Sequence, residues 1–576
     1  MKKKEVITNY VADFETEYLT EEQIKAGAKT YVWAWQIRNA DTLEIYQTGT
    51  DIKGFIKALF SLKSCNIWFH NLKYDIQFLL NYLLLNGWKQ VQSNKNMKPY
   101  TFSSLVSGNN IVYSIELRTL TANILILDSY KKLPFKISKI AEDLKLDVKK
   151  GEIDYHKHRE EGGELSAEDL DYLSRDTLIP AIALKEIFFK NGFNKRTIGA
   201  DCLEYFKNIQ PKFYKLFPQL DKQESDFLKE ALAGGVVYAN PKYAGKILEG
   251  YGEDYDCNGL YSYVSHSSSP YKLPIGYGEY FVGGYEYDSR KPFYVQHLRA
   301  AFTLKKGAFP CIHSRQKGLY LDSELITDTE GDMYELVLSC YDLKLLFTHY
   351  DVHNIELING YKYEVGRGYF DEYINHFVEM KINAKKAGNF TEYLTAKLFL
   401  NNLIGKYGQS TESSNKIFEI KDGLLTSTPK HSVKKGLYMP VAVAVTSSAR
   451  LELFKMLDAN KKAFAYCDTD SCKVYGKLNK PENIELDNYK LGAWKLENTW
   501  DKAIFLKPKT YAEHTENGWK ITGAGMNDEV KQEVIKQIQE DPNNFQVGKS
   551  YNGKLKTKRV KGGVVLQEGI FTLSKI

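Results

Sequence analysis

A chain of 576 residues exceeds one ordinary domain and fits three or four units of roughly 100 to 200 residues each. Hydrophobic residues at 43% and charged residues at 26% provide for a packed core and exclude wholesale disorder, while a net charge of +6 permits a polyanionic partner without demanding one. Seven cysteines without a C-x-x-C pair argue against a zinc framework or a disulfide scaffold and fit a reducing cytosol. The start MKKKEVITNY lacks an apolar signal core, and FLLNYLLL from Phe78 falls far short of the about 18 residues of a membrane span, so a soluble protein is expected.

In chain order, residues 1–195 alternate apolar runs (NYVADFE, CNIWFH, NILILD) with helical stretches such as Asp51 to Leu62, which predicts an α/β unit. Gly234-Gly235 and Gly250 to Gly259 bracket a transition into Tyr-dense, strand-like sequence. Residues 268–370 are rich in Gly, Pro and Tyr with short strand-like pieces and little helical periodicity, and read as an insertion. Residues 371–408 predict an antiparallel helical hairpin around the breaker Gly388-Asn389. A polar stretch from Gln409 to about Lys435 is a second insertion candidate. The densest basic cluster, Lys549, Lys554, Lys556, Lys558, Arg559 and Lys561, lies near the C-terminus, as a phosphate contact or a solvated loop.

Two constellations carry chemistry. YVADFETE places Asp13 and Glu15 two residues apart on a strand, hence on one face. Burying two carboxylates together is costly unless a divalent cation joins them. Asp75 in WFHNLKYD and Asp176 in YLSRD complete a two-metal set able to cleave a phosphodiester, and Tyr172, one helical turn before Asp176, can orient the attacking water.

The second constellation is FAYCDTDSCKVY, a hairpin presenting Asp468 and Asp470 at its tip, with a third acid, Asp256, at the end of another strand in YDCNGLYS. Metals held by Asp256 and Asp470, with Asp468 in support, suit a triphosphate and a primer hydroxyl. Lys397 and Asn401 share a helix face at i, i+4 to meet phosphates, with Lys385 as a second contact from the preceding helix. Lys509 and Tyr511 in KPKTYAEH, read as alternate residues of a strand, can face the minor groove at a primer end.

The N-terminal acids, in this order, resemble the exonuclease motifs of DnaQ-like proofreading domains, which implies a ribonuclease-H-like 3′-5′ exonuclease fold. That resemblance implies that Thr16, His70, Asn71, Tyr74 and Ser129 grip an unpaired primer end, that Lys150 in KGEIDYH helps hold the scissile phosphate, and that Glu152 touches a metal. DCNGLYS, KLFLNNLIG, YCDTDS and KTY, with GAGMNDEV and KGGVVLQEGIFTL, resemble motifs of family B DNA polymerases, in particular the protein-primed phage phi-29 branch.

The resemblance implies an α/β and α+β multidomain fold. It comprises an exonuclease domain (1–195), a palm (196–267 and 438–530), fingers (371–408) and a thumb (531–576), with insertions at 268–370 for the priming protein and duplex and 409–437 for processive strand displacement. Expected cofactors are two Mg2+ per site, replaceable by Mn2+, with Cys257 beside Asp256 and Asp470 as a metal-site residue and Tyr261 as a gate against ribonucleotides. Expected partners are primer-template and single-stranded DNA, deoxynucleoside triphosphates and a terminal protein, for a monomer acting in the cytoplasm of a bacterial host.

The sequence departs from the branch in four places: Gly259 for serine and Ser262 for proline in the first polymerase motif, Ile404 for tyrosine in the second, and Leu232-Ala233-Gly234-Gly235 for the usual Y-x-G-G linker. Gly259 and Ser262 together are expected to loosen the backbone that cradles the triphosphate, and Ile404 to make the surface under the nascent pair aliphatic. An exonuclease with a degraded polymerase half and a non-catalytic DNA-binding factor are the competing readings, against which the retained acids of both clusters speak.

Overall fold

The structure is a computed structural model that describes all residues except 1–6, 93–96, 155–156, 315–324, 410–411, 434–435, 553–555, 568 and 574–576. Lys554 of the basic cluster and Glu568 within KGGVVLQEGIFTL therefore lie outside the described residues.

The N-terminal sheet has eight strands: β1 (Thr8–Thr16), β2 (Val32–Asn39), β3 (Ile45–Gly49), β4 (Cys65–Phe69), β5 (Lys89–Gln90), β6 (Thr101–Val106), β7 (Val112–Arg118) and β8 (Asn123–Asp128). Their order is β3-β2-β1-β4-β8-β7-β6-β5. The centre β1-β4-β8 is parallel, whereas β1-β2-β3 and β6-β7-β8 are antiparallel. Strand-helix alternation thus describes the middle of this unit and not its flanks, where β2-β3, β6-β7 and β7-β8 are joined by short connections that make neighbouring strands reverse. Ala12 and Phe14 of β1 pack into the core that holds helices Ile52–Ser61 and Ile76–Leu85. The alternation of side chains then turns Val11, Asp13 and Glu15 toward helix Ala167–Ile187, against which Val11 packs. That helix starts at a capping box between Ser166 and Asp169, which fixes where its later turns fall.

Next come β9 (Val237–Ala239) and β10 (Ile247–Cys257). The insertion follows as β11 (Leu273–Val282), β12 (Phe293–Leu304), β13 (Tyr334–Ser339) and β14 (Tyr350–Gly366), an antiparallel sheet ordered β11-β14-β12-β13. Its strands are longer than the short pieces read from the sequence, and helix Cys340–His349 was not anticipated, although Ser339 caps it by accepting from Asp342 N at 3.2 Å.

Helices Asp371–Ala387 and Phe390–Tyr407 form the hairpin read at Gly388-Asn389, with Gly388 at φ +69° and Asn389 capping Glu392 N at 3.2 Å. The polar stretch after them is a long hairpin of β15 (Glu412–Lys421) and β16 (Leu424–Val433). Helix Met439–Ala459 is buried on nearly every side and organises the largest core. β17 (Phe464–Asp468), β18 (Ser471–Tyr475), β19 (Trp494–Lys507), β20 (Thr510–Thr515) and β21 (Gly518–Gly523) then join β9 and β10 in the order β21-β20-β19-β10-β18-β17-β9.

The C-terminal part has helix Asp528–Glu540 and the pairs β22 (Ser550–Asn552) with β25 (Ile570–Thr572) and β23 (Lys556–Val560) with β24 (Gly563–Gln567). Here the basic cluster is more than a solvated loop. Arg559 sits 5.3 Å over the Phe418 ring and donates to Gln77 Oε1 at 2.9 Å, tying β23 to the β15-β16 hairpin and to the N-terminal unit. Among the described residues no helix is long and apolar enough to cross a membrane.

Candidate active sites

In the N-terminal unit, one carboxylate oxygen each from Asp13, Glu15 and Asp176 lie within 4.8 Å of one another. Burial and then like-charge repulsion raise Asp13 and Glu15: Asp13 stands well above the usual carboxylate range, with Glu15, Asp75 and Asp176 adding to its desolvation, and Glu15 is pushed up to about 8. Asp75 is also buried and pushed up to about 8, chiefly by desolvation, while main-chain N–H groups, its own and that of Phe14, pull it partly back. Asp75 stands beside this group and not within its closest set, because it occupies the start of helix Ile76–Leu85. Asp176 Oδ2 accepts from Lys150 Nζ at 2.6 Å, and its Oδ1 is buried without a hydrogen-bond partner. A buried, unpartnered carboxylate oxygen facing two further carboxylates is what a divalent cation satisfies.

Tyr172 is almost fully buried, with the Lys150 ammonium 5.5 Å over its ring. The loop carrying Lys150 is anchored by Arg159, which the sequence reading missed. Its guanidinium stacks 4.6 Å over Trp33 and pairs with Asp169 at 2.8 Å, and the main-chain N–H of Arg159 donates to Glu17 at 3.1 Å. Glu152 is exposed and outside the carboxylate group, which corrects its expected contact with a metal. Of the expected primer-end residues, Thr16 hydrogen-bonds the Tyr74 hydroxyl and His70 bonds Ser129 at 2.9 Å and the Phe135 carbonyl at 2.8 Å. Asn71 is exposed at φ +67°, and its N–H donates to Asp128 at 3.1 Å.

The second site is a cleft of about 370 Å³ between β10, the β17-β18 turn and the helical hairpin. Asp256 and Asp470 both line it. Burial and the Asp470 charge push Asp256 up to about 7, and burial with the Asp468 charge pushes Asp470 up to about 6. Asp468 ends β17 and is held by Lys509, so it supports the turn and does not line the cleft. The turn is tight because Thr469 takes φ +60°, and Gly235 makes room for it: a Cβ on Gly235 would stand 2.5 Å from Thr469 Oγ1. The linker before it is clamped by Arg450, which donates to the Ala233 and Gly234 carbonyls at 2.8 and 2.6 Å and pairs with Asp342 at 2.8 Å.

Lys385, Lys397 and Asn401 line the cleft as expected, and Lys381 and Lys495 join them. Both were legible in principle. Lys381 precedes Lys385 by one helical turn, and Lys495 pairs with Asp256 across the ladder, though that register cannot be read from sequence. Tyr261, half-buried on helix Leu260–Ser265, has its hydroxyl raised chiefly by burial, with Asp470 and Asp468 adding to the rise and the Arg450 charge opposing it.

Four expectations need correction. The Cys257 thiol is buried, donates to the Gly492 carbonyl at 3.5 Å and is raised by burial well above its ordinary value, so the main-chain carbonyl of this residue, and not its sulfur, is the group that suits a hard cation. Gly259 has φ +62°, where serine would be strained, so it fits this backbone and does not loosen it. Ile404 is buried in the main core and is not among the residues lining the cleft. Lys509 and Tyr511 are not alternate strand residues: Lys509 sits in the β19-β20 turn at φ +57° with its N–H on Tyr466, and Tyr511 is partly buried 4.9 Å from the Tyr466 ring.

The family described as DNA polymerase type B, organellar and viral, matches residues 56–169 and 158–487. The DNA polymerase of Bacillus phage Nf is 33% identical over 575 residues, covering 94% of this chain and 96% of that protein. That of Bacillus phage phi29 is 32% identical over 593 residues, covering 98% of each. Phi29 DNA polymerase solved with primer-template DNA and incoming nucleotide superposes with a TM-score of 0.87 at 32% identity, covering 99% of this chain and 100% of that one, and its complex with single-stranded DNA gives 0.88. The chain belongs to the organellar and viral type B DNA polymerases, and it is similar to the phi29 polymerase along nearly its whole length.

Proposed function

We propose that the chain copies DNA at the cleft of Asp256 and Asp470, and removes nucleotides from 3′ ends at the site of Asp13, Glu15, Asp75 and Asp176. The observation that carries this is the presence of two separate pairs of half-buried to buried, mutually repelling acids, Asp13 with Glu15 and Asp256 with Asp470, each pushed to ionise less readily than in water. An all-oxygen donor set and the unpartnered Asp176 Oδ1 fit magnesium or manganese, two ions per site, held by these acids and the Cys257 carbonyl. Such ions, when bound, activate the attacking oxygen and neutralise the leaving one.

The protein's own groups do the rest. Lys381, Lys385, Lys397 and Lys495 converge on the cleft and balance the charge of a deoxynucleoside triphosphate, with Asn401 beside them. Tyr261 limits the space for a ribose 2′-hydroxyl, and Lys509 and Tyr511 support the primer end. At the other site Lys150, braced on Asp176 and Tyr172, meets the scissile phosphate, while Thr16, His70, Asn71, Tyr74 and Ser129 hold the frayed strand. Phi29 polymerase, solved with primer-template DNA and nucleotide and with single-stranded DNA, supports the same partners here.

In this reading residues 1–195 are a ribonuclease-H-like exonuclease, 196–267 and 438–530 the palm, 371–408 the fingers and 531–576 the thumb. The insertions at 268–370 and 409–437 engage a terminal protein with the duplex and keep the enzyme on DNA during strand displacement. The setting is a monomer replicating a linear phage genome in the bacterial cytoplasm. A primed circular template with magnesium and deoxynucleotides, without helicase, is expected to give products longer than one circle. The Asp13→Ala/Glu15→Ala variant is expected to do the same while losing degradation of single-stranded 3′ ends. Short products only would remove strand displacement, and intact degradation in the double variant would remove the excision assignment.

A further inference from the structure

A buried layer of charge joins β10, β18 and β20, and neither reaction described above uses it. Asp254 precedes Asp256 by two residues, on the same face of β10, and pairs across the ladder with Lys473 of β18. Lys473 Nζ lies 2.5 Å from Asp254 Oδ2 and 2.7 Å from Glu513 Oε1 of β20. The Asp254 contact is a hydrogen bond and the Glu513 contact an ion pair. The second Asp254 oxygen accepts from Trp500 Nε1 at 3.1 Å, and the three charged side chains are 7%, 5% and 0% exposed.

β18 and β20 are not neighbours in the sheet, since β10 and β19 lie between them. Their contact through Lys473 and Glu513 spans two intervening strands, which two long side chains can bridge across the concave face of a twisted sheet. The same ammonium stands 4.8 Å over the Tyr511 ring, two residues from the β19-β20 turn whose Lys509 grips Asp468. The layer therefore links the strand of Asp256, the strand after Asp470 and the hairpin of Lys509 and Tyr511. A buried Lys between two carboxylates is a poor source of stability, because desolvation offsets the attraction and apolar side chains of like volume serve as well.

We propose that Lys473, with Asp254 and Glu513, is a positioning device for nucleotide addition: it holds the Lys509–Tyr511 hairpin against the turn of Asp468 and Asp470, so that the primer end meets Asp256 and Asp470 in register. The inference rests on the polymerising site assigned above.

The test uses the full chain and single-nucleotide insertion on a primed template, with thermal melting in parallel. The variant Asp254→Val/Lys473→Met/Glu513→Gln replaces the layer by uncharged side chains. It is expected to melt near the wild type, to insert about tenfold more slowly with a higher KM for primer-template, and to keep its KM for deoxynucleotide, because the cleft lysines are untouched. Lys473→Arg is expected to restore most of the rate. Glu513→Gln alone keeps the Lys473–Asp254 pair and is expected to show the same split about threefold, which keeps the proposal testable if the triple variant fails to fold. Wild-type insertion in the triple variant, or in Glu513→Gln, overturns it, as does a deoxynucleotide KM that rises along with the primer KM. Asp256→Asn is the control: full extension there would sink the site assignment itself, whereas a dead Asp256→Asn beside a normal triple variant would sink only the positioning role.

Discussion

Lys509 grips Asp468 through both carboxylate oxygens, at 2.9 and 2.7 Å, while Asp470, two residues on, lines the cleft with Asp256. The turn sets one of its acids on a lysine and the other on the cleft. Asp470→Asn is accordingly expected to lower single-nucleotide incorporation on the order of a thousandfold, since the metals it would help hold contribute several kcal/mol. Asp468→Asn and Lys509→Met are expected to cost about tenfold each, and no more in combination, because they break one shared contact. Equal losses for Asp468→Asn and Asp470→Asn would contradict this division.

Proton linkage gives a second test. Glu15 and Asp75 are pushed up to about 8, from ordinary values of 4.5 and 3.8. Between the ordinary and the raised values the folded protein binds more protons than the unfolded chain, so stability falls as pH rises toward 8. Melting in a chelator is expected to drop from mildly acid to mildly alkaline pH, magnesium to flatten the slope, and Glu15→Gln to reduce it. A chelated wild type that melts higher with rising pH throughout this window would be inconsistent with the geometry.

Lys381 faces Lys397, Lys495 and Lys385, and burial followed by these like charges lowers it from its ordinary value. Four ammonium groups crowd one cleft because a polyanion relieves their repulsion. Lys381→Ala should raise KM for deoxynucleotides about tenfold, the scale of one charge-assisted hydrogen bond, and leave KM for primer-template unchanged. Steady-state kinetics with each substrate varied in turn would show it, and a change confined to the primer term would refute it.

Gly235→Ala pushes a methyl group to 2.5 Å from Thr469 Oγ1 and 2.8 Å from Thr469 Cβ, so the linker and the turn cannot both stay in place. Lower melting and slower extension are expected, with melting recovered when Thr469→Gly is added. No recovery in the double variant would show that the strain is relieved elsewhere.

The grouping of acids at both sites was legible because it rests on short-range spacing. Asp13 and Glu15 share a face by strand alternation, and the hairpin of Asp468 and Asp470 spans a few residues. What stayed hidden depends on register and twist. Nothing local says that Lys495 stands opposite Asp256, that Arg559 reaches Gln77, or that Lys473 meets Glu513 across two intervening strands. Lys509 was misjudged as a strand residue because KPKT shows alternation, whereas its positive φ makes it a turn. Helix Cys340–His349 was overlooked because its neighbours are strands, though the Ser339 cap marked its start.

Thr469 is β-branched and yet holds φ +60°, a conformation that costs about 1 to 3 kcal/mol for such a side chain. Asparagine tolerates that backbone better. Selection of random variants for heat resistance alone would therefore drive position 469 away from threonine, and selection for nucleotide addition would bring it back, leaving the tip of this hairpin the place where durability and speed are traded.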